Sequence, residues 1–271
     1  MSDPAGTPLR ILVLVKHVPD AQFDRRLEEP THRVDRSDSI LSELDEYALE
    51  AGLLLAEARG GASAGNTVTA LSMGPAAAVN AVKKSLQMGA TDGVHLCDTS
   101  LEGSDAYATS LALAAAIRHL CGYDLVITGM ASTDAETSLV PAQLAERLGL
   151  AQLTMVADLK LEGSVLTARR DGDHAALTLR AELPALVSVT DQANEPRYPN
   201  FKGIMAAKKK KITTLNLADL GLDPAQVGEA GSATRVLDAA ERPARGTGTI
   251  ITDQGDAGIQ LVDFLAAQRM I

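Results

Sequence analysis

The sequence ILVLV at residues 11–15 decides the fold, because it is an uninterrupted run of large aliphatic side chains. A strand that is buried on both faces of a sheet has no polar position, whereas a half-exposed strand alternates. Further runs rich in aliphatic residues follow at residues 67–72, 94–97 and 124–128. Together they predict parallel strands that are covered on both faces.

Helices are predicted between these strands at residues 42–59, 75–88, 104–120 and 140–148. In the first helix, Leu44, Ala48, Ala51 and Leu55 recur at helical spacing, and Ser42 stands at an N-cap position. Strand and helix therefore alternate four times. This pattern is typical of a doubly wound, mostly parallel α/β sheet of the Rossmann-like type.

The pattern changes in the second half of the chain. Residues 159–169 and 175–182 predict an added β-hairpin region, and residues 184–190 return to a buried strand. From residue 223 the chain is rich in Gly, Ala, Thr and Arg, and only residues 258–269 predict another helix. We therefore divide the chain into an α/β domain at residues 9–222 and a C-terminal arm at residues 223–271. Such an arm wraps a partner or returns to its own core.

Composition excludes several classes of protein. The net charge of −10 argues against a nucleic-acid partner, despite the lysines at residues 208–211. No apolar run reaches the roughly 18 residues of a membrane span, and the first residues lack the parts of a signal peptide, so we expect a cytoplasmic protein. The two cysteines, Cys97 and Cys121, are too few for a metal site and are expected to be buried free thiols.

Catalytic motifs are absent from the sequence. It contains neither GxGxxG nor GxxxxGK[ST], and it lacks a GxSxG nucleophile motif. The five histidines show no ligand spacing, and no pair of carboxylates stands in an acid–base arrangement. We expect no catalytic residues and no enzyme.

The strongest small-molecule candidate is GMASTDAETS at residues 129–138. It follows the fourth predicted strand and leads into a helix, which is where open α/β sheets bind ligands and where free backbone N–H groups attract phosphate. Ser132, Thr133, Thr137 and Ser138 add hydroxyl groups. An ordinary N-cap loop has the same composition, so both interpretations stay open.

A second candidate is NEPRYPNFKGIMAAKKKK at residues 194–211. Pro196 and Pro199 stiffen this segment, and Tyr198 and Phe201 are two of only seven aromatic residues in the chain. Rigid aromatic side chains are good interface anchors. The segment predicts a protein-docking surface, with a core loop and a solvated basic tail as the alternative.

These segments resemble the β subunit of electron transfer flavoproteins, in the family's order from about residue 9 to residue 222. The matching stretches are ILVLVKHVPD (11–20), LSMGP (71–75), KSLQMGATDGVHL (84–96), GMASTDAETSLVPAQLAERLG (129–149), LPALVSVT (183–190) and the segment at 194–211. The resemblance implies an αβ heterodimer that is an electron carrier and not an enzyme. It takes electrons from flavin dehydrogenases, such as acyl-CoA dehydrogenases, and passes them through a quinone reductase towards the respiratory chain.

The resemblance also implies a structural AMP in the β subunit. Carried over by position, its binding residues are Leu14, Ser42, Glu43, Leu44, Asp45, Met73, Gly129, Met130, Ala131, Ser132, Thr133, Asp134, Ala135, Glu136, Thr137, Ser138, Leu139 and Val140. The chain departs from the family where relatives have Asn-Pro-aromatic in place of residues 42–44 and Gln in place of Leu139. Glu136 adds a negative charge beside the expected phosphate. Some relatives hold a second FAD in this site, so AMP and FAD both stay open.

FAD, in proteins of this family, is held mainly by the α subunit, with contacts here expected from residues 19–21. Dehydrogenases are expected to dock on the segment with Phe201 at its centre, where relatives often have Leu. The docking residues implied are Arg197, Tyr198, Pro199, Asn200, Phe201, Lys202, Gly203 and Ile204.

Two other classes of function compete with an electron-carrier subunit. A nucleotide-binding regulatory or stress protein, or a stand-alone nucleotide-dependent enzyme, could have the same alternation of strands and helices, because fold does not determine function. The segment NEPRYPNFKGIM favours the electron carrier, and the missing phosphate-binding and catalytic motifs disfavour the enzyme.

Overall fold

The computed structural model describes residues 7–240, 242–244 and 246–271. The start of the chain, on which the expectation about a signal peptide rests, lies partly outside these residues, as do Glu241 and Arg245 of the arm. The strands in the described residues are β1 (Arg10–Leu14), β2 (His17–Pro19), β3 (Leu27–Glu28), β4 (Arg33–Val34), β5 (Ser39–Leu41), β6 (Thr67–Met73), β7 (Asp92–Leu96), β8 (Leu125–Gly129), β9 (Ala151–Val156), β10 (Asp158–Glu162), β11 (Val165–Asp171), β12 (Ala176–Glu182), β13 (Ala185–Val189) and β14 (Ile212–Leu215). The α-helices are α1 (Glu43–Ala58), α2 (Val79–Met88), α3 (Ala106–Leu120), α4 (Val140–Leu148), α5 (Phe201–Ala207), α6 (Leu217–Leu220), α7 (Gly228–Gly231) and α8 (Ala257–Ala267).

Seven strands form the central sheet, in the order β14-β7-β6-β1-β8-β13-β9. Every neighbouring pair in this sheet is parallel. The residues of β8 and β13 are buried throughout, as expected for strands with helices or other structure on both faces. The predicted doubly wound α/β fold is therefore confirmed.

Two apolar layers cover the faces of this sheet. Ile11 and Val13 of β1 belong to a core that includes residues of α1 and α2, whereas Leu12 and Leu14 belong to a core with residues of α3 and α4. Successive side chains of a strand point to opposite faces, so an uninterrupted aliphatic run supplies both layers at once.

The chain reverses its direction of winding next to β1. It proceeds from β1 to β6 and β7 on one side, and then returns to β8 on the other side of β1. Loops that follow two such strands leave the sheet in opposite directions and open a crevice at their carboxyl ends. This switch point lies between β1 and β8.

The predicted hairpin region is a three-stranded antiparallel sheet, β10-β11-β12. It lies between β9 and β13 in the sequence, and β13 then enters the central sheet between β8 and β9. β9 itself was not predicted, because it is an edge strand in which only Leu153 and Val156 are buried. A half-exposed strand without strict alternation has no clear sequence pattern.

One local prediction was confirmed in position only, and another was wrong. Ser42 occupies the N-cap position of α1, but its side chain makes no capping hydrogen bond. Cys121 is exposed and Cys97 is half-buried, so neither is the fully buried thiol that was expected. Cys121 follows the last residue of α3 with a positive φ of 41°, which turns the chain out of the helix towards the surface.

The described residues up to Arg235 form one compact unit, and those from Val236 to Ile271 form a second. The second unit contains α8, which is preceded by a turn where the backbone N–H groups of Gly255 and Ala257 donate to Asp253 Oδ1 at 2.8 and 3.2 Å. Most residues of α8 are exposed, including Ile259, Val262 and Phe264. Within the described chain, the helices are too short or too polar to cross a membrane.

Candidate functional site

Three predicted binding positions meet at the switch point. Leu14, Met73 and Gly129 are the last residues of β1, β6 and β8, which are neighbours in the sheet. The carboxyl ends of parallel strands lie at one edge, so topology brings together residues that are far apart in the sequence. This edge is the candidate ligand crevice.

Gly129 allows the start of α1 to approach the end of β8. A Cβ atom at Gly129 would lie 2.6 Å from Asp45 Oδ1 and 2.9 Å from the carbonyl oxygen of Leu44. Such contacts are too short for any side chain, so the position requires glycine. Leu44 and Asp45 therefore lie directly against the carboxyl end of β8.

Asp45 is an internal carboxyl group at the floor of the crevice. It is only 7% exposed, and its Oδ2 accepts a hydrogen bond from the backbone N–H of Lys16 at 2.8 Å. Burial raises the pKa of Asp45 to about 7, although backbone hydrogen bonds and the charge of Lys16 oppose the shift. Near pH 7 the carboxyl group of Asp45 is therefore divided between its protonated and ionised forms.

This raised pKa predicts a pH-dependent stability. The folded pKa of about 7 exceeds the ordinary value of 3.8, so the folded state favours the protonated carboxyl group. Its stabilising contribution is complete below pH ~4 and is lost as the pH rises to ~7, at up to about 1.4 kcal/mol per pH unit. Asp45→Asn removes this titration. We expect the unfolding free energy of the variant, relative to the wild type, to increase between pH 5 and pH 8, as measured by urea unfolding.

The control for this prediction is Glu43→Gln, which removes an exposed carboxylate from the first turn of the same helix. The difference between this variant and the wild type should vary much less over the same pH range. A flat difference for Asp45→Asn as well would show that Asp45 does not titrate in this interval.

Asp134 links the loop after β8 to Lys16 and Arg36. Its side chain is 1% exposed, and it accepts hydrogen bonds from Lys16 Nζ at 2.9 Å and Arg36 Nη2 at 2.5 Å. Lys16 Nζ also contacts Ser132 Oγ at 3.3 Å. Burial alone would raise the pKa of Asp134, but the adjacent Lys16, Ser132 and Arg36 hold it well below its usual range. Asp134 is therefore an ionised, paired group.

Lys16 and Arg36 are crevice residues that sequence reasoning missed. Lys16 directly follows the aliphatic run of β1, so its position after a strand could have indicated it. Arg36 lies in a polar stretch that carries no signal. Their ammonium and guanidinium groups supply positive charge beside the loop, which Asp134 only partly neutralises.

The loop after β8 ends in exposed backbone at the start of α4. Thr137, Ser138 and Leu139 are exposed, whereas Ser132 and Thr133 are half-buried. Leu139 stands at the N-cap of α4, and its side chain makes no capping hydrogen bond. The backbone N–H groups of the first turn, of which Pro141 has none, therefore receive no acceptor from that side chain. Glu136 is exposed, with a positive φ of 50°.

Ser42 offers a hydrogen-bonding group that the protein does not use. Its residue is fully buried, and within the described chain its Oγ has no hydrogen-bond partner. Its backbone N–H donates to the carbonyl of Lys16 at 2.9 Å, which places it beside the crevice. An unpaired buried hydroxyl costs about 1–3 kcal/mol, so an orphaned group here fits a bound polar ligand.

The predicted docking segment is only partly a loop, because α5 begins at Phe201. Asn200 caps this helix by accepting a hydrogen bond from the N–H of Gly203 at 2.8 Å. Tyr198 is 89% exposed, Phe201 80% and Met205 44%. Phe201 and Met205 lie one turn apart, so they share a face of the helix. The alternative of a core loop is wrong for these side chains.

Several contacts fix α5 to the rest of the protein. Gly203 packs so closely on α2 that a Cβ atom would lie 2.5 Å from the carbonyl oxygen of Gln87. Lys210 donates to the carbonyl oxygen of Ala90, and burial lowers its pKa. The other lysines of the run are exposed, namely Lys208, Lys209 and Lys211.

The remaining predicted docking residues divide into two groups. Asn200 and Lys202 are exposed, whereas Pro199, Gly203 and Ile204 are half-buried. Arg197 turns back to α1, where it pairs with Glu50 and Glu57.

Two surface cavities lie away from the crevice. The first has a volume of about 210 Å³ and is lined by Pro19, Asp20 and Phe23, among other residues. It includes part of the stretch at residues 19–21 that was expected to contact flavin. Ala21 is exposed and not aromatic, but Phe23 is 63% exposed two residues later. The second cavity, of about 240 Å³, is lined by Tyr123, Val126 and Pro184, among other residues.

These features define a Rossmann-like α/β protein with a candidate ligand crevice at its switch point and a separate exposed apolar ridge formed by Tyr198, Phe201 and Met205. The family model of the electron transfer flavoprotein domain matches residues 31–220. The chain is 44% identical over 263 residues to the electron transfer flavoprotein subunit beta of Mycobacterium leprae, covering 96% of this chain and 99% of that protein.

Two further relatives extend this comparison. The electron transfer flavoprotein subunit beta of Megasphaera elsdenii is 34% identical over 275 residues, covering 97% of this chain and all of that protein. Subunit CarD of the caffeyl-CoA reductase–Etf complex of Acetobacterium woodii is 35% identical over 246 residues, covering 90% and 92%. The chain belongs to the electron transfer flavoprotein β-subunit family, as the resemblance predicted.

Proposed function

We propose that this chain is the β subunit of a heterodimeric electron transfer flavoprotein, which carries electrons from flavin dehydrogenases to a quinone reductase acceptor. The observation that carries this proposal is the apolar ridge of Tyr198, Phe201 and Met205, in which the last two are exposed on α5, a helix packed closely on α2, and Tyr198 is exposed just before it. A rigid aromatic surface of this kind suits repeated docking and release. The complex is proposed to be cytoplasmic.

FAD would be shared with the α subunit and would supply the redox chemistry. The contribution of this chain is a surface beside the flavin, at residues 19–21 and Phe23, where a small cavity opens between charged side chains. The chain lacks a dinucleotide-binding motif of its own, which supports a flavin held mainly by the partner. Its role is to bind and orient partners.

We also propose a structural AMP in the crevice at the switch point. Ser42 offers an unpaired hydroxyl, the start of α4 offers backbone N–H groups, and Lys16 and Arg36 offer positive charge. Helix N-termini and cations favour phosphate. Exposed Leu139 leaves one donor fewer than Gln would give, and a second FAD is the alternative to AMP in this crevice.

Nucleotide analysis tests this site directly. We expect the purified heterodimer to release one AMP and one FAD on denaturation, and added AMP to raise the Tm because it binds only the folded state. Ser42→Ala should raise the Tm of the AMP-free protein, since it removes an unpaired buried hydroxyl, and should reduce the Tm increase that AMP causes.

A higher Tm without AMP, combined with a smaller Tm increase on adding AMP, would distinguish a ligand role of Ser42 from a purely structural one. Ser63→Ala, which removes a hydroxyl outside the crevice that bonds to the carbonyl of Gly60, is the control. Two FAD molecules per heterodimer would replace AMP by a second flavin. No adenine nucleotide beyond one FAD would show that Glu136 and Leu139 have closed the site.

A further inference from the structure

Arg197 lies at the start of the docking segment, but its side chain turns back to α1. Its Nε donates to Glu50 Oε2 and its Nη2 donates to Glu50 Oε1, both at 2.8 Å. The two parallel hydrogen bonds form a bidentate arginine–carboxylate pair. The backbone N–H of Arg197 also donates to Glu50 Oε2 at 3.1 Å. Glu50 is only 4% exposed, so its charge depends on Arg197 for compensation.

A second carboxylate of α1 completes the arrangement. Arg197 Nη1 donates to Glu57 Oε1 at 2.5 Å, and Nη2 donates to Glu57 Oε2 at 2.9 Å. Glu50 and Glu57 are seven residues apart, which is about two helical turns, so they lie on the same face of α1. These hydrogen bonds raise the pKa of Arg197 above its already high value.

The guanidinium group has little capacity left for a partner protein. It carries five N–H donors, and the hydrogen bonds to Glu50 and Glu57 are four in number. Its side chain is also 33% exposed, compared with 80% for the whole of Phe201. The Arg197 side chain is therefore poorly suited to direct hydrogen bonding with a dehydrogenase.

We propose that Arg197 is a positioning residue, whose pairing with Glu50 and Glu57 holds the backbone that leads into Tyr198 against α1, so that Tyr198 faces the dehydrogenase beside Phe201. This inference rests on the proposed docking function. Asn194, three residues earlier, binds the same helix, because its Nδ2 donates to the carbonyl oxygen of Tyr47 at 2.9 Å. We name this set of contacts the Arg197 clamp.

Loss of the Arg197 clamp should affect docking more than folding. The Asn200 cap, the packing of Gly203 and the contact of Lys210 fix α5 independently. Breaking the clamp therefore frees mainly the stretch before α5. A freed loop loses conformational entropy when it docks, which weakens association without changing the redox step.

The test uses the assembled heterodimer and an acyl-CoA dehydrogenase reduced by its own substrate. For Arg197→Lys, the heterodimer concentration that gives the half-maximal rate should rise about tenfold, while the maximal rate stays near wild type. Lysine keeps the positive charge but cannot make the bidentate hydrogen bonds of arginine. Glu50→Gln should produce the same split although Arg197 is intact. A contact role for Arg197 predicts instead that Glu50→Gln leaves docking unchanged or improves it.

Glu57→Gln is expected to disturb the fold less than Glu50→Gln, since the side chain of Glu57 is 52% exposed. It therefore provides a second test if Glu50→Gln destabilises the protein. It should raise the half-maximal concentration about twofold to threefold. The double variant Arg197→Lys/Glu50→Gln should cost less than the sum of the single variants, because both break one unit. Flavin content and Tm are measured for each.

Phe201→Ala separates this inference from the proposed function. If Phe201→Ala impairs reduction but Arg197→Lys, Glu50→Gln and Glu57→Gln do not, the docking surface is right and the Arg197 clamp has no positioning role. If Phe201→Ala is itself without effect, docking lies elsewhere on the protein.

Discussion

Replacing Phe201 by alanine in the assembled heterodimer is expected to reduce the rate of reduction by an acyl-CoA dehydrogenase at least tenfold. The side chain is 80% exposed at the start of a fixed helix, so it can fill an apolar pocket of a partner with little ordering cost. Truncation of such an anchor costs ~2 kcal/mol or more, which is roughly thirtyfold in affinity. Stopped-flow measurement of flavin reduction at limiting heterodimer concentration gives this rate.

Folding should be unaffected by this substitution, because Phe201 buries little of its surface within the chain. Flavin content and Tm should stay near wild type. Tyr107→Ala is the matched control, since Tyr107 is an aromatic residue of α3 that is 47% exposed outside the docking segment. Equal rates for the wild type and Phe201→Ala would place docking elsewhere, and loss of flavin would make Phe201 a structural residue.

The second large effect concerns pairing with the α subunit. Expressed alone, this chain is expected to bind no stoichiometric FAD, whereas co-expression with an α subunit should give a yellow one-to-one heterodimer. Ile259, Val262 and Phe264 of α8 are 68%, 53% and 43% exposed, and each large apolar side chain gains about 1.5–3 kcal/mol when fully buried. We therefore expect deletion of residues 236–271 to abolish pairing.

Size-exclusion chromatography with detection of flavin absorbance measures both outcomes. Gln260→Ala is the control, because it changes an exposed polar residue of the same helix. Ile259→Asp, which introduces a charge into the exposed apolar surface, should weaken pairing while leaving the first compact unit folded. A chain that retains stoichiometric FAD by itself would overturn the assignment of flavin binding to the α subunit.

Much of the fold could be predicted because burial leaves a pattern along the chain. The aliphatic run at residues 11–15 supplies both apolar layers through alternate side chains, and it forms β1 at Arg10–Leu14. The helix after Ser42 was found from its spacing of apolar residues. In contrast, β9 is an edge strand with few buried positions, and α5 is short and depends on its contact with Gln87, so neither left a clear local pattern.

The candidate crevice could be predicted only in part. The position of residues 129–138 after a buried strand indicated a ligand loop, and the resemblance to the family added Ser42 and Asp45. Lys16 and Arg36 were missed, since a charged residue in a polar stretch carries no sign of its partner. The resemblance to the family assigned Arg197 to docking together with Tyr198 and Phe201, but its side chain pairs with Glu50 and Glu57 of α1.

The sequence by itself determined the class of fold, the family and the segment that carries the exposed aromatic residues. Tertiary structure alone decided that the chain switches sides between β1 and β8, that Lys16 meets Asp134 118 residues away, and that Arg197 meets Glu50 147 residues away. Periodicity records whether each residue is buried, which depends on its own element. The partner of a charged side chain depends on how distant elements pack, and no local pattern records that.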